Sequence, residues 1–361
     1  MHRAPINLRR NRGAVIVLVL VTVLLASFLL AAFLRRSGTE LLADVRAAEM
    51  KQLRAEAYSA LEATLAILAD QRAAAGALHS PAEPWSDALA DSGYVPGNGR
   101  GVEVRFEDES GKLPLGTATE TELQTLMEFA GIERNEAERQ AAALHAWMRE
   151  GGDETRLNFN APDYSRNDPA YRIAKRPLRS WGELAAVAMD RPVFFDEAGR
   201  PTPEYAAFVR EVSLHPFQKV NLNSAQAGVL TALGLGSAEV GALENHRVRP
   251  KSPGDLGVFR SMTEAGTVMG ATVAADRFGT TIEVLRIMIT ARQGGVAYRL
   301  AVVINTGTGA RPPGAAAPSA GTSGGPAMAP APERKMLNYP FAVLEIREDA
   351  APFTPLSRPD L

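Results

Sequence analysis

The stretch Arg12-Gly13 followed by AVIVLVLVTVLLASFLLAAFL (Ala14–Leu34) decides how this chain is read. The run carries no charge over its 21 residues, and its only polar groups are Thr22 and Ser27. As a helix rising 1.5 Å per residue it is about 32 Å long, enough to cross a bilayer core of roughly 30 Å. The leader before it holds Arg3, Arg9, Arg10 and Arg12 and no acid, which places that end in the cytoplasm and the bulk of the chain on the far side. No second stretch is long and apolar enough to span. A cleaved secretory signal has a shorter apolar region and a small-x-small exit, whereas this one ends in Phe33-Leu34-Arg35-Arg36. A plain uncleaved anchor fits the same run, as does a helix retained after a cut at Gly13.

Outward from that helix, the composition is ordinary. The chain has 361 residues, 46% hydrophobic and 22% charged, with a formal net charge of −2. That length predicts two or three domains. The charge balance excludes a polybasic nucleic-acid or membrane binder. With no cysteine there are no disulfides, thiolate metal sites or cysteine nucleophiles. His2, His79, His145, His215 and His246 lie far apart, and neither a Walker loop nor a Gly-x-Ser-x-Gly elbow is present. Catalysis is not expected.

Helical patterning continues past the apolar run. Leu53, Ala57, Leu61, Leu65 and Leu68 recur every three or four residues, with Asp44, Arg46, Glu49, Lys51, Arg54, Glu56 and Glu62 on the other faces. This predicts one amphipathic helix to about Ala75, whose alanine-rich stripe suits packing on a sheet better than a coiled coil. Strand signals are split. Val102–Phe106 alternates apolar and charged residues; the signal then returns only at Glu283–Arg292, Val296–Asn305 and Tyr339–Glu348. Residues 306–332 are 25 of 27 Gly, Pro, Ala, Ser or Thr, a composition that cannot bury a core and reads as a loop. The predicted fold class is therefore α+β: a long N-terminal helix on a small antiparallel sheet (residues 76–116 and 280–349), with a large, mostly helical domain (117–279) inserted between strands.

Within the insertion, helix starts are read at Thr119 and at Ser180-Trp181-Gly182-Glu183-Leu184, and a helix over Glu136–Arg149. VNLNSAQAGVLTALGLGSAEVGALENHR (Val220–Arg247) resembles a helix-hairpin-helix unit, with Asn223 or Ser224 expected to cap the first helix and Ser237 the second. Such hairpins often hold DNA phosphate on the turn amides and the second helix's N-terminus. Against that, residues 220–280 are charge-balanced and Glu239 falls in the second helix's first turn, so a structural or protein-contact role is preferred to nucleic-acid binding.

A basic leader ending in Gly13 and abutting an apolar helix resembles the type IV prepilin class, which implies cleavage between Gly13 and Ala14 by a prepilin peptidase. Most pilins carry Glu at the fifth mature position; here it is Leu18. Several segments then align in order with the minor pseudopilin K family of type II secretion: Glu109-Ser110-Gly111-Lys112-Leu113-Pro114-Leu115, Leu144-His145-Ala146-Trp147 with Asp153-Glu154, Asn167-Asp168-Pro169, Ser180–Leu184 and Val220–Ala225. The resemblance spans nearly the whole chain. It implies leader (1–13), transmembrane helix (14–34) and periplasmic helix (35–75) segments of an inner-membrane protein with its bulk in the periplasm. It also implies a place at the pseudopilus tip beside other minor pseudopilins and the major pseudopilin, with the secretin or exported proteins as further partners. Family members bind calcium through acidic loops, which makes Asp153, Glu154, Asn160 and Asp163 candidate ligands. The family's Trp-x-Asp-x-Asp run is broken after Trp147, so a solvated acidic turn is the alternative. A minor pilin of a type IV pilus and a membrane-anchored DNA-binding protein are the rival functions.

Overall fold

The computed structural model describes residues 11–97, 99–149, 164, 170–187, 191–248, 256–270, 276–307 and 340–348. Helix α1, Asn11–Ala75, is unbroken for 65 residues. It ends where Gly76 takes the left-handed conformation (φ 80°) and donates its N–H to the Arg72 carbonyl, 2.8 Å away. Leu53, Ala57, Ala60, Leu61, Leu65 and Leu68 form one stripe of α1, each no more than 3% exposed.

That stripe lies on a four-stranded antiparallel sheet of β1 (Arg100–Asp108), β2 (Val284–Gln293), β3 (Val296–Asn305) and β4 (Ala342–Glu348), paired in that spatial order. The period-2 pattern fixes which residues face α1. Val102, Val104 and Phe106 pair across to Ala291, Ile289 and Ile287, which pair in turn to Tyr298, Leu300 and Val302. All of them belong to the apolar core beneath α1. A bulge at Leu344 lets Val303 pair with Glu345 while Ile304 pairs with Val343. Two residues, Gln293 and Val296, close the β2–β3 ladder around Gly294 (φ 56°), where a left-handed turn residue is required.

Between β1 and β2 the chain builds a second core. Helices α2 (Glu120–Phe129) and α3 (Arg134–Met148) pack together; α2 opens with a capping box in which Thr119 Oγ1 accepts from Glu122 N–H and Glu122 accepts from Thr119 N–H. Helices α4 (Pro203–Glu211), α5 (Ala227–Ala232), α6 (Ser237–Val248) and α7 (Met262–Met269) follow. Two-residue parallel ladders join Leu113–Pro114 to Val212–Ser213 and Val220–Asn221 to Phe278–Gly279. This core also takes in Leu113 and Leu115 ahead of α2, and Val284 and Val303 from the sheet face opposite α1. The sheet is thus clasped between α1 and the inserted helices.

Two local expectations are corrected. Trp181–Ala186 is a short 3₁₀ helix, and Ser180 makes no side-chain cap. The Glu183 carboxylate folds back onto Arg179 N–H and the Arg176 guanidinium, supplying that turn's polar contacts from within. Likewise α5 starts at Ala227 after Gln226, so neither Asn223 nor Ser224 caps it. Both are engaged in longer-range bonds, given below. The sequence pairs Asp153-Glu154 and Gly151-Gly152, and all but the first two residues of the 306–332 loop, lie outside the described residues.

Candidate functional site: an exposed apolar shaft and a polar seam

Below the sheet, α1 meets no other segment among the described residues. Val15, Leu18, Leu24 and Phe28 are 58%, 64%, 73% and 71% exposed. The most apolar 18-residue window of the helix has mean hydropathy 3.1 and none of it is buried. Each Å² of such surface left in water costs about 25 cal/mol, so this shaft requires lipid or other protein around it. Gly13 and Ala14, the expected processing site, fall in the first turn of α1.

At the other end, two of the sequence segments singled out above meet each other. Glu109–Leu115 leaves β1, and Val220–Ala225 enters the helix hairpin. Asp108, at the end of β1, is 6% exposed. Its Oδ1 accepts Ser110 N–H at 2.8 Å; its Oδ2 accepts Asn221 Nδ2 at 2.6 Å and the Ser224 hydroxyl. Asn221 Nδ2 also donates to the His79 carbonyl, and Asn223 bridges Phe259 and Thr280 backbone groups. Ser110 Oγ accepts the N–H groups of Glu283 and Val284 at the start of β2. Gly111 lies so close to Ser224 that a Cβ would stand 2.6 Å from its Oγ and 2.9 Å from its carbonyl carbon. Glycine is required there for close approach. From the body side, Glu83 gathers the N–H groups of His79, Ser80 and the Trp85 indole and faces Arg260 at 3.3 Å.

Charge completes the seam. Glu109, 1% exposed, contacts Lys112 (3.0 Å), Arg286 (2.7 Å) and the Ser213 hydroxyl (2.6 Å), and Glu107 pairs with both cations. Burial would raise the Glu109 carboxyl, but Lys112 and Arg286 outweigh it and hold it well below the usual range. Asp108 has only neutral donors, so burial dominates and pushes it up to about 6. Buried polar groups hydrogen-bonded across the seam in this way favour one relative placement of the two cores. The arrangement is a buried polar clasp between the two cores.

The helix hairpin has a definite geometry at its turn. Gly234 turns the chain at φ 94°. The next anion-binding amide, Gly236 N–H, is already taken by Glu239 Oε2 at 2.6 Å. Arg247, the nearest cation on α6, points inward and donates to the Ala225 and Leu222 carbonyls. The hairpin therefore presents a carboxylate at the turn where a phosphate binder presents bare amides.

The calcium candidates Asp153, Glu154, Asn160 and Asp163 lie outside the described residues; among those described, no group of three or more His, Cys, Asp or Glu is placed to hold a metal ion. Asp108 and Asn221 went unassigned from sequence, Asp108 one residue ahead of the Glu109–Leu115 motif and Asn221 inside the hairpin motif, and Ser224 was expected only as a helix cap. No family model and no curated protein matches the chain. Among solved structures, a chain of the GspK-GspI-GspJ complex from the enterotoxigenic Escherichia coli Type 2 Secretion System superposes with a TM-score of 0.56, over 85% of this chain and 99% of that one, at 14% identity. That likeness is one of fold; in this chain the fold is a long N-terminal helix under a small antiparallel sheet in a mixed α/β body.

Proposed function

We propose that this protein is a minor pseudopilin of a type II secretion apparatus, placed at the tip of the pseudopilus, where it assembles with other minor pseudopilins to initiate or cap the filament. The observation that carries this reading is the contrast along α1: one continuous helix, fastened under a sheet above and exposed below. Such a helix serves first as a single-pass anchor in the inner membrane and then as a packing element between subunits. Prepilin peptidase cuts after Gly13, leaving Ala14 as the mature N-terminus and the bulk of the chain in the periplasm. Leu18 supplies no carboxylate to pair with a neighbour's amine, so one axial contact of an internal subunit is missing. The inserted domain thickens the sheet's outer side, which favours an end position, where no subunit stacks above. The role is steric and associative; the protein is not an enzyme. The Glu239 cap and inward Arg247 weigh against the DNA-binding alternative.

Mass analysis of the mature protein from membranes tests this. The expected species begins at Ala14 and is lost when Gly13 is replaced by a bulky residue, together with secretion of the exported proteins. A mature chain that still begins at Met1 or His2 in secreting cells would overturn the reading.

A further inference from the structure

We propose that the sheet face turned away from α1, at its membrane-proximal end, docks an acidic surface of a second pseudopilin; this rests on the function proposed above. The strand registers define that face row by row. Arg105, Met288, Ala301 and Arg347 stand side by side across the four strands. The next row holds Glu103, Thr290 and Arg299, and the one after it Gly101, Arg292 and Ala297. The same face is sealed further up, where Val284 and Val303 enter the core of the inserted domain. Below that seal the side chains are open: those of Arg105, Arg292 and Arg347 are 44%, 60% and 50% exposed.

Four arginines here meet two glutamates. Glu103 is shared by Arg105 at 2.6 Å and Arg292 at 3.7 Å. Glu345 serves Arg347 and also His215 at 3.2 Å. Arg299 has no ion pair among the described residues. Gly101, Thr290 and Ala297 form a low floor between the cations, so an approaching element can come close to the sheet. Guanidinium groups around a flat floor match carboxylates, which they bind bidentately. Lipid headgroups are the weaker match. Arg100, at this lower edge, bonds Gln52 of α1. Gln52 lies about 27 Å along the helix beyond Leu34, against a screening length of about 8 Å.

The test uses the full chain in detergent, co-expressed with the other minor pseudopilins of its own secretion system, with dissociation constants measured at low and physiological salt. Arg292→Glu with Arg299→Glu should weaken the complex about tenfold or more, with the larger effect at low salt. Glu103→Gln, which releases two arginines, should tighten it, a gain that misfolding cannot mimic. Unchanged affinity in both variants, a loss confined to self-association, or a loss confined to vesicles of phosphatidylethanolamine and phosphatidylglycerol would overturn the docking face. If the wild-type chain binds no pseudopilin at all, the functional reading falls and the face with it. Binding that ignores the arginines removes the face alone.

Discussion

The two halves of α1 are one helix with opposite surroundings. From Leu53 to Leu68 it is amphipathic, and the apolar stripe is sealed by β1 together with strands drawn from residues more than two hundred positions downstream. From Val15 to Leu34 it is apolar on every face, and every described position is exposed. A stripe needs one partner surface, which a single chain can supply; an all-round apolar cylinder needs enclosure, which the described residues do not provide. The difference separates what folds the molecule from what places it.

The sharpest way to break this contrast is truncation on each side of it. Leu65→Ala should cost about 2–5 kcal/mol in urea unfolding of the full chain in detergent, because a fully buried side chain leaves a cavity against the sheet. Leu25→Ala should leave the body's unfolding midpoint unchanged. Equal effects would mean that the lower half also packs within the chain. Next in size is the seam. Asn221→Ala strips a donor from Asp108 and from the His79 carbonyl, and should cost about 1–3 kcal/mol while making the inserted helices exchange amide hydrogens faster than β2 and β3. Uniform loss of protection would indicate that the two cores unfold as one unit irrespective of the seam.

The pH dependence is smaller and has two components of opposite sign. Asp108 is raised from 3.8 to about 6, so the folded state holds its proton more tightly than the unfolded chain does; its contribution is favourable at low pH and is lost as pH rises through that window. Glu109 is lowered from 4.5, so its contribution is present above that value and is lost on acidification below it. Asp108→Asn should flatten the decline in stability between about pH 4 and 6, whatever its effect on the absolute level; an unaltered slope would contradict the buried-carboxyl account. Smallest of all, Arg54→Ala removes an exposed ion pair to Glu348 at 2.5 Å and should hardly move the midpoint.

How legible each part was in the sequence follows from the range of the forces involved. The α1 stripe and the four strands are periodic patterns, and periodicity survives in a single sequence. Thr119 with Glu122 was readable because a capping box closes within four residues. Asn223 and Ser224 look like caps by the same local logic. Their partners, Phe259, Thr280 and Asp108, lie tens to more than a hundred residues away, and tertiary bonds overrode the local preference. The two-residue parallel ladders carry no pattern at all. The seam was therefore visible only as two unexplained motifs, and their meeting supplied the explanation.

The central claim, a bare helix that packs among unlike subunits at a filament end, is tested most directly by disulfide crosslinking. The chain has no cysteine of its own, so Ala55→Cys and Ala66→Cys on the exposed side of α1 give unambiguous bonds to cysteines placed on candidate neighbours. The account predicts discrete crosslinked species with other minor pseudopilins and no ladder of this chain with itself. A regular ladder of homopolymers would identify a repeating filament subunit and contradict the placement at the tip.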